Sequence, residues 1–297
     1  MKCDLHVHSY FSGPCQTPIV GSFCRESYTD PAEIYSHMAR KGMGLVTLTD
    51  HDSIEGSEQL RRHPNFFVSE ELTCRMPSGT VAHIGVYDLT DRQHAQLQQR
   101  RNDLVALLVY LSERRLFFSV NHVFSGLTGR RELEDFDWFK EYFPALESRN
   151  SHLLESANTH AALLAKRWNK ISIGGSDAHA LRSAGTVYTE VPGARDKEEF
   201  FAGLRNGKGR VAGESGSCWK LTRDILVIAG EMMREKNWTA LLAPLAVLLP
   251  LASMLNYYND YAFDRKWAAL IFQDSPAPKL SSWLPLPQPA EEKTAWP

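Results

Sequence analysis

The stretch KCDLHVHSYFSG (Lys2–Gly13) decides how this chain is read, because it sets His6 and His8 at alternate positions in a run that otherwise looks like a buried β-strand. Side chains at i and i+2 of a strand share a face, so an extended segment sends both imidazoles inward together. The pair alone is weak, since the chain holds 11 histidines and a catalytic metal takes about three protein ligands. Its meaning depends on what later segments supply.

They supply a series. MGLVTLTDHD (43–52) ends in Asp50, His51 and Asp52; His51 is the stronger ligand candidate, and Asp52 stands where a helix N-cap belongs. FFVSEELTC (66–74) offers Glu70 and Glu71, which face opposite sides of a strand, so only one can enter a site. A carboxylate there can bridge two cations through its two oxygens. TVAHIGVYD (80–88) carries His83, LFFSVNH (116–122) ends in Asn121 and His122, and KISIGGSDAHA (170–180) sets Asp177 and His179 on one face after two glycines. Singly, such a histidine reads as a satisfied core residue. Jointly, six histidines and several carboxylates fall at the ends of different predicted strands, and a core has no use for so many ionisable groups unless something satisfies them. Nitrogen and oxygen ligands without thiolates suit Mn, Fe or Zn, and their number exceeds what one catalytic ion takes.

Between these segments lie helical patterns. YTDPAEIYSHMARKG (28–42) has Asp30 as N-cap, Pro31 at the first helical position, Glu33 completing a capping box and Gly42 as a stop. Residues 90–115, 151–168 and 195–208 also read as helices. Alternation of strands and helices predicts an α/β fold with parallel strands joined by helical crossovers, closed as a barrel. The boundary is placed near Gly216: a main domain over 1–216, a helical extension over 217–273, and a proline-rich, extended tail over 274–297.

A net charge of −2 gives no basic footprint, so stable binding to duplex nucleic acid is not expected. Five cysteines without a C-x-x-C pair indicate neither a disulfide framework nor a zinc ribbon; a reducing cytoplasm fits. MKCDLHVHSY has no apolar signal region. WTALLAPLAVLLPLASML (Trp238–Leu255) runs 18 residues without a charge, at the lower edge of a membrane span. Pro244 and Pro250 interrupt it, which favours a buried or partner-covered helical hairpin over a membrane-associated segment.

In their order, DLHVHS, TDHD, the glutamate of SEELT, HIGVY, NH and SDAH resemble the PHP (polymerase and histidinol phosphatase) superfamily over roughly residues 3 to 212. The resemblance implies a distorted (β/α)7, TIM-like barrel with two or three divalent metal ions that hydrolyse phosphate esters through a metal-bridging hydroxide. It places His6, His8, Glu71 and Asp177 on one metal, Glu71 with His83 and His122 on a second, and His51 with His179 on a third. Many relatives carry an Asp or His where this chain has Gly13, so the third site lacks an expected ligand; water, Cys15 or the loop QTPIVGSFCRESYTD (16–30) would have to complete it. If that ion is missing, His51 or His179 is the candidate to protonate the leaving oxygen. Arg25, Arg149 and Arg182 are candidates for contacting a phosphate. The expected substrate is a phosphorylated small molecule, nucleotide or oligonucleotide, with specificity from the long loop and FSGLTGRRELEDFDWF (124–139). The alternatives are an amidohydrolase-like metal hydrolase, or a non-catalytic metal-stabilised module docking a partner or membrane.

Overall fold

The computed structural model describes residues 1–15 and 20–273, so the predicted tail over 274–297 lies outside the described residues. The best-signalled helix, α1 (Pro31–Arg40), forms as its caps dictate: Asp30 Oδ1 accepts from Ala32 N at 2.7 Å, Pro31 opens the first turn, and Ile34 and Met38 are buried one turn apart.

Two sheets follow. The larger has the order β2 (Ser69–Arg75), β3 (Val81–Tyr87), β4 (Phe117–Val120), β5 (Ala145–Asn150), β6 (Ile171–Gly175). The smaller joins β1 (Lys2–Cys3), β7 (Val187–Glu190) and β8 (Arg210–Gly213). Among the described ladder strands, only β4, β5 and β6 pair in parallel. The expectation of parallel strands throughout fails at β2–β3, an antiparallel hairpin closed by Met76 N donating to Thr80 O, with Gly79 at φ 83°. Its short connection cannot hold a crossover, which needs about a dozen residues. The helical pattern over 90–115 splits into α2 (Asp91–Arg100) and α3 (Leu104–Glu113), because Asp103 caps the second by accepting from Ala106 N. The remaining helices packed around these strands are α4 (Leu133–Tyr142), α5 (Glu155–Arg167) and α6 (Lys197–Arg205).

Two predicted strands stay off the ladders. Beyond Cys3 the first segment touches the sheets through one parallel bridge, Val7 to Ala178, and the segment before His51 does so through Val46–Phe66 and His51–Glu71. Side chains take the place of strand partners. Asp4 Oδ1 accepts from His6 N and Ser176 N, its Oδ2 accepts from Gly185 N, and Thr49 Oγ1 accepts from Val7 N. The chain is α/β, but among the described residues the ladders form two bridged sheets rather than one closed ring.

The C-terminal helices α7 (Cys218–Glu235) and α8 (Leu249–Ile271) are pinned to this scaffold by buried acids. Asp224 on α7 accepts from Arg182 Nε at 2.7 Å and from Ser183 Oγ, and lies 2.8 Å from His152 Nε2. On α8, Asp264 Oδ1 meets His160 Nδ1 at 2.6 Å, and Asp260 accepts from Ser125 Oγ and Gly126 N. Trp267 enters the main core beside Phe136, ring centroids 5.3 Å apart. Of the expected buried or partner-covered hairpin at 238–255, burial within the chain itself is not what forms. Asn237–Leu248 is a 3-10 helix whose apolar side chains face outward, Leu241 at 83% and Val247 at 77% exposure. The helical run Asn237–Ile271 contains an 18-residue window long and apolar enough to cross a membrane, at mean hydropathy 1.9 and 11% buried.

Burial alone would raise the Asp224 carboxyl, but hydrogen bonds from His152, Ser183 and Arg182 hold it down to about 2. Its contribution to anchoring α7 is therefore complete above the ordinary carboxylate pKa of about 4 and is lost as pH falls toward 2. Asp224→Ala, which strands Arg182 and His152, is expected to lower local stability of α7 by about 3 kcal/mol. Hydrogen exchange of α7 amides measures this, and unchanged protection would refute the anchor.

Candidate metal centre

His6 and His8 do share a face, although not on a ladder strand, and their Nε2 atoms lie 3.0 Å apart. What holds each ring fixes its tautomer. The Ser12 hydroxyl donates its one proton to Asp50 Oδ1 at 2.8 Å, so at 2.9 Å it can only accept from His8 Nδ1. Likewise the Glu147 carboxylate takes the His6 Nδ1 proton at 2.8 Å. Rings held this way turn both Nε2 atoms inward, and only one proton can lie between them. Carboxylates stand around them: Glu71 Oε1 at 3.2 Å and Asp177 Oδ1 at 3.4 Å from His6 Nε2, and Asp177 Oδ1 at 3.3 Å from His8 Nε2. So many acceptors converging on so few protons suit a cation.

Glu71 occupies the middle. Its Oε1 accepts from Asn121 Nδ2 at 2.8 Å and lies 3.3 Å from His122 Nε2; its Oε2 is 3.2 Å from His51 Nδ1 and 3.4 Å from His83 Nδ1. Neither ring nitrogen of His83 has a hydrogen bond, though both are buried. Glu70 points away, to His94 and Gln98. At the far side His179 is oriented by Nδ1 donating to Asp177 O at 2.9 Å. The potential ligand atoms fall into overlapping sets, His6–His8–Asp177, His51–Glu71–His83 and His8–His51–His179, each within 4.8 Å. His122 and Asp177 reach the cluster with φ of 33° and 54°, conformations that cost a non-glycine residue about 1–3 kcal/mol and concentrate at functional sites.

The charges show what the pocket lacks. Burial works against the charged forms of Glu71 and Asp177, yet the facing imidazoles, His6 foremost, hold both well below the usual carboxylate range. Burial also opposes a charge on His6 and His51, but Glu71, with Asp177, Glu147 and Glu26 around them, drives His6 well above its ordinary value and His51 up to about 9. Burial, with His179 and His51 close by, pushes His8 down to about 3. The pocket thus demands positive charge while keeping a neutral imidazole in its midst.

The structure brings together all eight residues singled out as ligands: His6, His8, His51, Glu71, His83, His122, Asp177 and His179. It does not bring the three arginines. Arg25 stacks over Tyr10 and pairs with Glu235, Arg149 forks onto Glu155, and Arg182 holds Asp224. Asp52 caps no helix; it accepts from Thr73 N and pairs with Arg101. Sequence reasoning missed Glu147, although it stands inside a short buried strand, as Glu71 and His83 do. It also missed Glu26, whose Oε2 lies 2.9 Å from His51 Nε2.

Histidines and carboxylates from strands and from the extended segments beside them converge here on one buried cluster, a donor set suited to divalent metal ions. Residues 155–208 match the family model described as PHP-associated, in accord with the motif resemblance. A 66-residue stretch is 32% identical to the uncharacterized protein MJ1587 of Methanocaldococcus jannaschii, covering 21% of this chain and 35% of that protein, so the match spans about a third of the relative's length. Among solved structures, PsfC from Pseudomonas syringae PB-5123 superposes with TM-score 0.52 at 17% identity, over 78% of this chain and 98% of that one, a likeness of fold. The lesion-specific endonuclease PfuEndoQ from Pyrococcus furiosus gives 0.49 at 16% identity, over 71% and 57%.

Glu147 touches ligands without belonging to the facing set, since it orients His6 and accepts from His122 N at 2.9 Å. Glu147→Gln is expected to weaken divalent-metal affinity about 10- to 100-fold. Calorimetric titration of metal-stripped protein checks this, and unchanged affinity would remove Glu147 from the site.

Proposed function

We propose that this protein is a metal-dependent phosphoesterase built on a distorted, PHP-type β/α barrel, acting on a phosphorylated small molecule, nucleotide or oligonucleotide. The observation that carries the reading is the pair of Nε2 atoms 3.0 Å apart with Glu71 and Asp177 around them, a buried cluster with more acceptors than protons. His6, His8 and Asp177 would hold one ion, and Glu71, His83 and His122 a second, with Glu71 shared. When bound, such ions supply positive charge that acidifies an attacking water and clamps phosphate oxygens.

The chain's own residues prepare that chemistry. Glu147, Ser12 and the Asp177 carbonyl each engage the Nδ1 of one imidazole, so that His6, His8 and His179 present Nε2 to the interior. Asn121 and the strained backbone at His122 and Asp177 aim the carboxylates before substrate arrives. The cluster is almost dry, His179 being its most open member at 25% side-chain exposure, so substrate approaches from that side. Among the described residues no lysine pairs with a cluster carboxylate, and the bridging position falls to Glu71; this supports phosphoesters over the amide substrates of lysine-bridged metal hydrolases.

Chelation should abolish hydrolysis across a panel of phosphomonoesters and dinucleotides, with Mn, Fe or Zn restoring it. Losing a stabiliser of transition-state charge costs on the order of 10²–10³-fold, so His8→Ala and Asp177→Ala should each lower kcat/KM by at least that much. Full turnover by either variant, or turnover of amides alone, would overturn the assignment.

A further inference from the structure

Gly13 stands at φ 83° and ψ −158°, a conformation essentially closed to residues with a Cβ, so no side chain can serve the pocket from that position. The chain then doubles back beside it. Pro14 bridges Arg25 in antiparallel register, Cys15 N donates to Cys24 O at 2.9 Å, and Glu26 N donates to Gly13 O at 3.1 Å. Glu26 is thereby placed next to Gly13 in space, far from it along the chain. Its Oε2 lies 2.9 Å from His51 Nε2 and 3.9 Å from His179 Nε2, with the three side chains only 11%, 10% and 25% exposed. The His8 ring stacks on both imidazoles, at centroid distances of 4.6 and 4.4 Å.

We infer that Glu26 is the carboxylate ligand of a third divalent-cation site, completed by His51 and His179, and that it supplies from the returning strand the ligand that Gly13 cannot. The inference rests on the metal-dependent reading above and extends it to a residue outside the motifs. Two imidazole nitrogens and one carboxylate oxygen form a donor set suited to Mn, Fe or Zn. His179 is already turned for it, since its Nδ1 is spent on the Asp177 carbonyl and its Nε2 faces Glu26. The described residues beside Glu26 are held by neighbours: the Arg25 guanidinium lies 3.7 Å from the Tyr10 ring centroid, Glu235 accepts from Tyr10 Oη, and Lys236 Nζ donates to Phe23 O. A ligand whose flanks are held in this way loses less freedom when an ion binds.

The test is metal stoichiometry of the full chain, stripped and reloaded with Mn or Zn, by elemental analysis and calorimetry. Wild type should take up three equivalents. Glu26→Gln, which preserves shape and an oxygen acceptor but not charge, should lose one of them or hold it at least about tenfold more weakly, with the other two unchanged. Glu26→Asp should retain the third ion, which a merely structural acceptor role would not predict if Gln fails. Three equivalents of undiminished affinity in Glu26→Gln, or only two in wild type, would overturn the inference while leaving the phosphoesterase reading intact. A wild type that binds no metal would instead overturn that reading itself.

Discussion

The two imidazole nitrogens of His6 and His8, facing each other across 3.0 Å, set the constraint around which the structure is arranged. With their Nδ1 atoms engaged by Glu147 and Ser12, the two imidazoles have room for only one proton between them, and Glu71 and Asp177 add negative charge where water hardly reaches. Bringing a carboxylate into such a place costs several kcal/mol unless it is paired. The fold pays by assembling a second layer of polar groups. Asp50 accepts from Ser9 N, Ser9 Oγ and Ser12 Oγ; Asn150 Nδ2 bridges Glu147 and Asp177; Asp4, raised by its burial to about 6, knots three backbone amides below His6.

That second layer explains why the first predicted strand is not one by hydrogen bonding. A ladder strand spends its amides on neighbouring carbonyls, and Val7 and His6 spend theirs on Thr49 Oγ1 and Asp4 Oδ1. The segment stays extended and buried, so the period-two reading that put His6 and His8 on one face survives although the ladder does not. His51 behaves in the same way, reaching Glu71 through a single bridge. Side-chain direction was legible because it depends on local extension. Sheet membership was not, because it depends on which distant group meets each amide.

The same distinction separates the site residues that sequence could find from those it could not. Ionisable residues in or just after a β-patterned run announce themselves by their setting, as His83 does inside one and Asp177 and His179 do after another, and as Glu147 also does. Glu26 has no such background: it lies in a polar loop, and only the pairing of Pro14 with Arg25 brings it to His51. The arginines failed for a related reason. A guanidinium beside a motif is free to serve a phosphate only if no carboxylate claims it, and Glu235, Glu155 and Asp224 come from parts of the chain whose position no local pattern encodes.

Two kinds of contact join the C-terminal helices to the rest, and they differ in strength. Asp224 and Asp264 are buried, and each meets an imidazole, so removing either leaves a stranded polar group in the interior. The contacts of Glu235 with Arg25 and Tyr10 are about one-third exposed and are of the sort that contributes about 0–1 kcal/mol. The helical layer is thus firmly seated on the scaffold but only lightly latched to the loop after Gly13. The seat of the helical layer therefore does not depend on its contacts with Arg25 and Tyr10.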